Sequence, residues 1–430
     1  MLITSTLYDP VLSDEGTLDP LGLASIADRL GNRLVPGVRE RMRHPRFLTA
    51  IAAGARICEP FEGAICADGY SEPFQVYEWI MVQALYRTYR DDPAQYRGMP
   101  GTLKAQEAFK NKDSLSRNRY LKNAYTFGFH GVYRTLAETL DIATDGILGE
   151  KGDRLLRTWE EEQNMDGFLS GHNGPGRILL DKLQKLLRNS IDSGEVAANW
   201  SSNFWSELAP LFAPYKAGPK EKQLIRNLIV DDKVGFRDVF LDKIPEYYKT
   251  LEPDQDANEK KFHDYLMVTT DPELNELLET IQTYEKFALE VHNCFYDILA
   301  FLSDKNRRVT LAELEHNCKH IPNLASLQSS MAASRICLDK YGQALFFEEN
   351  FEHLICIQGQ QDIIPAILKH HRSIQEAKPP NGKMPWLEEF PNQQFMIRPA
   401  HRTGERIIPV DQYVNSYRLY ALIDFHNDLT

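Results

Sequence analysis

The segment His316-Asn-Cys-Lys-His320 places two imidazoles and a thiol within five residues. Histidines at i and i+4 share a helix face, and such side chains hold zinc. A structural zinc site needs further ligands, and no other Cys/His pair in the chain has suitable spacing, so this segment reads as a polar helix end. His370-His371 reads as a solvated pair. His401, Asp424, His426 and Asp428 are types that do acid–base or metal chemistry, but nothing in their spacing joins them. Signatures of serine hydrolases, zinc proteases, P-loop NTPases, dinucleotide folds and kinases are absent. Gly171-His-Asn-Gly-Pro-Gly-Arg177 precedes a helical pattern, where backbone amides can hold an anion. It lacks Gly-Lys-Ser/Thr and an incoming strand, and reads as a plain loop. No catalytic residue, metal ligand or cofactor is assigned.

The positive charges carry more information. The formal net charge is -12, which argues against indiscriminate coating of nucleic acid or anionic membrane. Yet seven arginines, including Arg39, Arg41, Arg43 and Arg46, face a single glutamate between Arg29 and Arg56. A solvated or salt-bridged helix face explains them, as does a phosphate- or partner-facing surface. A second basic tract runs from Gly101 to Arg134. Lys104, Lys110, Lys112, Arg117, Arg119, Lys122 and Arg134 there outnumber Glu107 and Asp113. Such cations neutralise phosphates and release counterions, and Ser116 and Asn118 can position a sugar–phosphate chain. These nine cationic and polar residues are the expected nucleic-acid-binding set. Arg398, Arg402 and Arg406 form a third cluster, grouped with the first as a partner or phosphate surface.

The elements around these residues read as mainly α. The expected fold is a multi-domain helical protein with one or two winged-helix-like units and a short C-terminal β hairpin. Residues 1–100 form an N-terminal helical region after an irregular lead-in. Residues 101–162 follow the order helix, short helix, longer helix, glycine-containing wing (Leu140 to Gly152) and closing helix. The longer helix begins near Leu115 and would present Ser116, Arg117, Asn118, Arg119 and Lys122 to one groove. Its tyrosines and phenylalanines read as core. A helical domain spans 163–302, with Trp200, Phe204, Trp205, Leu208 and Leu211 at core spacing. A second winged-helix-like unit is expected over 303–375, with helices at 309–316 and 324–338 and a strand–turn–strand at 345–357. An extended tract, a hairpin turning at Thr403-Gly404 and a helix from Tyr413 to Leu429 fill 376–430.

Bulk properties bound the class. A length of 430 residues with 43% hydrophobic and 26% charged side chains is globular and implies about two to four domains. Six dispersed cysteines without a CxxC pair read as reduced thiols, and with no signal peptide or membrane span this predicts a cytoplasmic protein.

Three stretches carry a resemblance: Leu18-Asp-Pro-Leu-Gly through Leu34-Val-Pro-Gly-Val-Arg-Glu-Arg-Met-Arg-His-Pro-Arg-Phe-Leu, then Phe127-Gly-Phe-His-Gly-Val-Tyr, and the closing Tyr413 to Leu429. The chain resembles a family of uncharacterised bacterial proteins encoded in phage-defence gene clusters. The resemblance implies a defence component acting with partner subunits on, or as a sensor of, foreign DNA; no site residue rests on it. Three readings follow: a non-catalytic subunit that contacts double-stranded DNA or serves as a scaffold, a protein-interaction adaptor without DNA binding, and a nuclease-type effector with a non-standard site.

Overall fold

The computed structural model describes residues 19–197, 202–231, 234–252, 255–269, 271–378 and 381–430. Trp200 and all but the last two residues of the irregular lead-in expected over 1–20 lie outside them. The fold is mainly helical, with 19 α-helices and three small antiparallel sheets among the described residues. All six cysteines are unpaired thiols. No helix of the described residues is long and apolar enough to cross a membrane.

The chain separates into two compact units, each assembled from segments distant in sequence. One holds residues up to Leu34 together with Glu246–Tyr417, and the other holds Val35–Pro245 with Arg418–Thr430. The five segments read from sequence are contiguous, so they cut across this interleaved division.

The first unit is organised around the helix Pro272–Lys305. Asp271 starts it, accepting from the Glu273 amide at 2.7 Å, with Pro272 at the first helical position, where a missing N–H costs nothing. Asn306 stops it in the left-handed region. Leu274, Leu278, Ile281, Phe287, Val291 and Phe295 are among its buried residues, and the helices Ala24–Leu34, Leu324–Asp339 and Ile363–Glu376 pack on it.

The C-terminal hairpin exists but turns elsewhere. Leu387–Phe390 pairs with Gln394–Ile397, and Val309–Thr310 adds a third strand. Asn392 and Gln393 take positive φ in its turn. Around Thr403-Gly404 the backbone is held instead by helix side chains. Ser303 accepts from the Thr403 amide at 3.1 Å, and Asn293 exchanges two 2.9 Å bonds with Ile408. The strand–turn–strand expected at 345–357 is also replaced. Phe347, Phe351 and Leu354 are buried at helical spacing, and the chain forms the helices Ala344–Asn350 and Glu352–Ile355. The helices expected at 309–316 and 324–338 appear as Leu311–Asn317 and Leu324–Asp339.

The second unit surrounds the helix Phe47–Cys58, whose sequence FLTAIAAGARIC is almost wholly buried. Its small residues permit close approach: a Cβ on Gly54 would lie 2.6 Å from the Tyr77 ring of the helix Pro73–Tyr89. Further layers come from Phe129–Thr139, Glu150–Gln163, Pro175–Ser193, Ser202–Phe212 and Pro219–Val230. The β-turn-β read between Leu140 and Gly152 forms a short hairpin, Ala143–Thr144 paired with Ile147–Leu148. Asp145-Gly146 supplies the two positive-φ residues that a tight hairpin needs.

Candidate nucleic-acid interface

The longer helix expected from Leu115 does not form at its first half. Leu115–Ser116 is a short strand, registered against Val196 and Glu195, and Leu115 is buried there. Arg117–Arg119 is one 3-10 turn, and Tyr120 is extended. Helix resumes only at Ala124–Phe127 and again at Phe129–Thr139, with extended Gly128 between them. Anchoring defeats the helical pattern. The Tyr120 hydroxyl donates to buried Glu78 at 2.6 Å, and Glu78 also accepts from the His130 amide at 3.2 Å. Gly128 passes so close to Glu78 that a Cβ would collide with its carboxylate. Burial pushes the Glu78 carboxyl up to about 7. Residues 115–123 are therefore a shelf pinned at Leu115 and Tyr120, not a reader helix for the major groove.

The shelf and the chain leading into it carry most of the expected cations outward. Lys110, Lys112, Arg117, Asn118, Arg119 and Lys122 are exposed, while Ser116 is half-buried. Lys104 pairs with Glu107 at 3.1 Å and Arg119 with Asp113 at 3.4 Å. Arg134 is turned to its own surroundings, donating to the Tyr125 hydroxyl at 2.5 Å and lying 3.5 Å from Glu138.

Arg117 and Lys122 line a recess of about 180 Å³ with Tyr70, Trp79, Asn123 and Tyr125. The Arg117 guanidinium sits 3.8 Å from the Tyr70 ring centroid. Tyr70 is 70% exposed and Tyr125 47%. Trp79 is buried, and its indole N–H has no hydrogen-bond partner. Tyr70 and Trp79 were not among the residues picked from sequence. The available signal was Asp68-Gly-Tyr-Ser71, in which Asp68 accepts from the Tyr70 and Ser71 amides and so presents the ring on a tight turn.

The arginine-rich cluster behaves differently from its sequence pattern. Arg46 is buried, held by a two-point ion pair to Glu221 at 3.1 Å and by the Ala213 carbonyl. It is therefore removed from the expected partner or phosphate surface. Arg39 donates to the Gly131 carbonyl and Thr135, and half-exposed Arg43 pairs with Asp424 at 2.8 Å. Only Arg41 of the four is exposed, 4.7 Å from the Phe127 centroid. In the other unit, Arg398 binds Glu388 and the Pro385 carbonyl, Arg402 binds Asn306, and Arg406 lies near the Tyr296 ring.

Four of the titratable groups considered for chemistry are held in packing or hydrogen-bond contacts. Asp428 bonds the His44 imidazole at 2.6 Å, and His401 stacks on Trp386. His370 and His371, expected to be solvated, are fully buried because they continue the apolar face of Ile363, Ile364 and Ile367. No group of three His, Cys, Asp or Glu side chains among the described residues is arranged to hold a metal ion.

Comparison with family models, with curated proteins and with solved structures yields no match.

Proposed function

We propose that this chain is a nucleic-acid-contacting or scaffold subunit of a multi-protein bacterial antiviral system, and that the shelf and its flanks, residues 110–125, make the contact. The observation carrying this reading is the Tyr70–Arg117–Lys122–Tyr125 recess on a surface of exposed cations. Lysine and arginine supply the salt-sensitive attraction to phosphates. Exposed tyrosine faces beside them suit stacking of unpaired bases, a mode that needs no helix in a groove. The reading is therefore weighted towards single-stranded or frayed DNA over an intact duplex. The setting in antiviral defence, with partner subunits, rests on the resemblance of the three sequence stretches alone.

The test is binding of labelled single-stranded and duplex DNA at about 50 and about 200 mM salt, a range over which phosphate contacts weaken strongly. Steep salt loss, a preference for the single strand and at least roughly ten-fold weaker binding by an Arg117→Glu/Arg119→Glu/Lys122→Glu variant are expected. No binding at low salt moves the assignment to the adaptor reading. Binding unchanged in the triple variant removes the shelf as the site.

A further inference from the structure

A larger groove in the same unit has the opposite chemistry. Its volume is about 590 Å³, within the range of ligand sites. The floor is apolar: Ala55, Phe61, Phe74, Leu148 and Leu169, with Ile147 of the hairpin 66% exposed at its lip. An isoleucine at a hairpin tip gains nothing from water, and beside an apolar floor it extends the surface a partner can cover.

Five carboxylates, Glu59, Glu62, Glu72, Asp145 and Asp153, line the groove against two guanidiniums, Arg56 and Arg157. Both guanidiniums are already paired, Arg56 with Glu59 and Arg157 with Asp153. Glu62, Glu72 and Asp145 have no ion-pair partner among the described residues, and they come from three different places. Glu62 follows the 3-10 turn Glu59–Phe61, Glu72 precedes the helix Pro73–Tyr89, and Asp145 sits in the hairpin turn. Arg56 adds an Nε–H without a hydrogen-bond partner.

Separated anions around one apolar floor select a ligand with several cations around an apolar body. A nucleic acid is repelled here, and a small monocation satisfies one wall only. We infer that the groove binds a short basic peptide segment of a partner protein, with leucine-, isoleucine- or phenylalanine-type anchors on the floor and lysines or arginines reaching the rim. The inference is independent of the nucleic-acid reading, because none of the shelf cations lines this groove.

An array of octapeptides varying Lys/Arg, Asp/Glu, Ser and Leu/Phe positions, probed with the full chain, tests it. Peptides with an apolar centre and flanking cations should be enriched. The best of them, measured by fluorescence anisotropy at low salt, should bind roughly ten-fold more weakly to Glu62→Gln/Asp145→Asn, and binding should fall with added salt. Asparagine is tolerated in the positive-φ turn, and neither substituted residue is buried, so folding is retained and is checked by circular dichroism. Ile147→Asp gives a second variant, which should weaken the same peptides by removing the lip. Enrichment of neutral or acidic peptides, absence of any enriched peptide, or affinity in either variant equal to that of the unsubstituted chain overturns the inference.

Discussion

Each unit buries two glutamates, and one from each, Glu221 and Glu285, shows an opposite way of stabilising a buried carboxylate. Glu221, in the unit built on Phe47–Cys58, faces the Arg46 guanidinium and also accepts from the Thr49 hydroxyl at 2.7 Å. Glu285, on the long helix of the other unit, has four neutral donors: the Val414 and Asn415 amides, the Asn415 side chain and the Tyr417 hydroxyl at 2.7 Å. Burial pushes Glu285 up to about 7 in spite of those donors. Glu221 thus depends on a fixed charge pair. Glu285 is a carboxyl that can take up a proton and leave its partners mostly satisfied, as Glu78 is in the unit of Glu221.

Removing one partner breaks this comparison most visibly. Glu221→Ala strands Arg46 in the interior, at a cost of about 3–5 kcal/mol. Denaturant titration should show that loss in the unit containing Phe47–Cys58. Arg46→Met with Glu221→Leu should recover most of it, since an apolar pair of similar volume avoids both desolvation costs. A double variant as unstable as the single would mean that the Ala213 and Thr49 bonds, not the charges, hold this site.

Acid should separate the units next. Burial pushes His263 down to about 3 and His292, His370 and His371 down to about 4, all in the unit with Glu285. His371 shows why. Its Nδ1–H donates to the Pro20 carbonyl at 2.9 Å while Nε2 accepts from the Trp386 amide at 3.0 Å, so a second proton breaks one bond. A histidine with a depressed folded pKa contributes stability that is complete above about 6.5 and is lost as pH falls towards 4. Glu285 works the other way: its raised pKa adds stability as pH falls from about 7 to 4.5. His401 is also held down by burial and Asp19 is also pushed up, so five depressed histidines oppose two raised carboxyls, and this unit should lose a few kcal/mol between pH 6.5 and 4.5. In the other unit His130, at about 4, opposes Glu78, at about 7, and the slope should be shallow. Hydrogen exchange corrected for intrinsic rates, followed segment by segment, reads both. Equal loss of protection in the two units would contradict the contrast.

Glu285→Gln sharpens the same point at smaller scale. Glutamine keeps one oxygen for Tyr417 and the Asn415 side chain but turns its NH2 towards the Val414 and Asn415 amides, so the change at pH 7 should be roughly 1–3 kcal/mol, below that of Glu221→Ala. It should also abolish the Glu285 contribution to the pH slope between about 4.5 and 7. A loss as large as that of Glu221→Ala would show that Glu285 acts as a charge.

Much of the helical frame was legible because apolar residues recur at helical spacing, as in Leu324–Asp339, and because Asp145-Gly146 is turn chemistry. What escaped was set by distant partners. Leu115 left a helical pattern for a strand beside Val196, which lies 81 positions on. Arg46 looked like one of a surface row until Glu221 is placed against it. His370 and His371 were legible in principle, since they continue the stripe of Ile363, Ile364 and Ile367, but their polarity masked the period. Of the expected nucleic-acid set, the cations Lys110, Lys112, Arg117, Arg119 and Lys122 do reach the surface, while Tyr70 and Trp79 join the recess from 35 or more positions away.

Helix starts provide the finest comparison. One unit uses a full capping box, Thr310 with Glu313, and the other half of one, in which Gln75 accepts from the Glu72 amide at 2.9 Å while the Glu72 side chain makes no cap bond. Thr310 accepts from the Glu313 amide at 3.2 Å, and Glu313 accepts from the Thr310 amide at 2.8 Å and from Arg307 at 2.6 Å. Glu313 is held down to about 2, first by Arg307 and then by the Thr310 amide. Its pKa is depressed, so its contribution is present above about 4.5 and fades as pH falls towards 2. Gln75 cannot titrate, so the Glu72 amide keeps its acceptor throughout. Thr310→Ala should cost about 1 kcal/mol at pH 7, seen as faster exchange at the start of Leu311–Asn317. Gln75→Ala should cost a similar amount at the start of Pro73–Tyr89. If the two losses are equal at pH 7, the Arg307 link adds nothing to the box, as expected of an exposed ion pair. A clearly larger loss at Thr310 would mean that the box holds Arg307 in place as well as the helix.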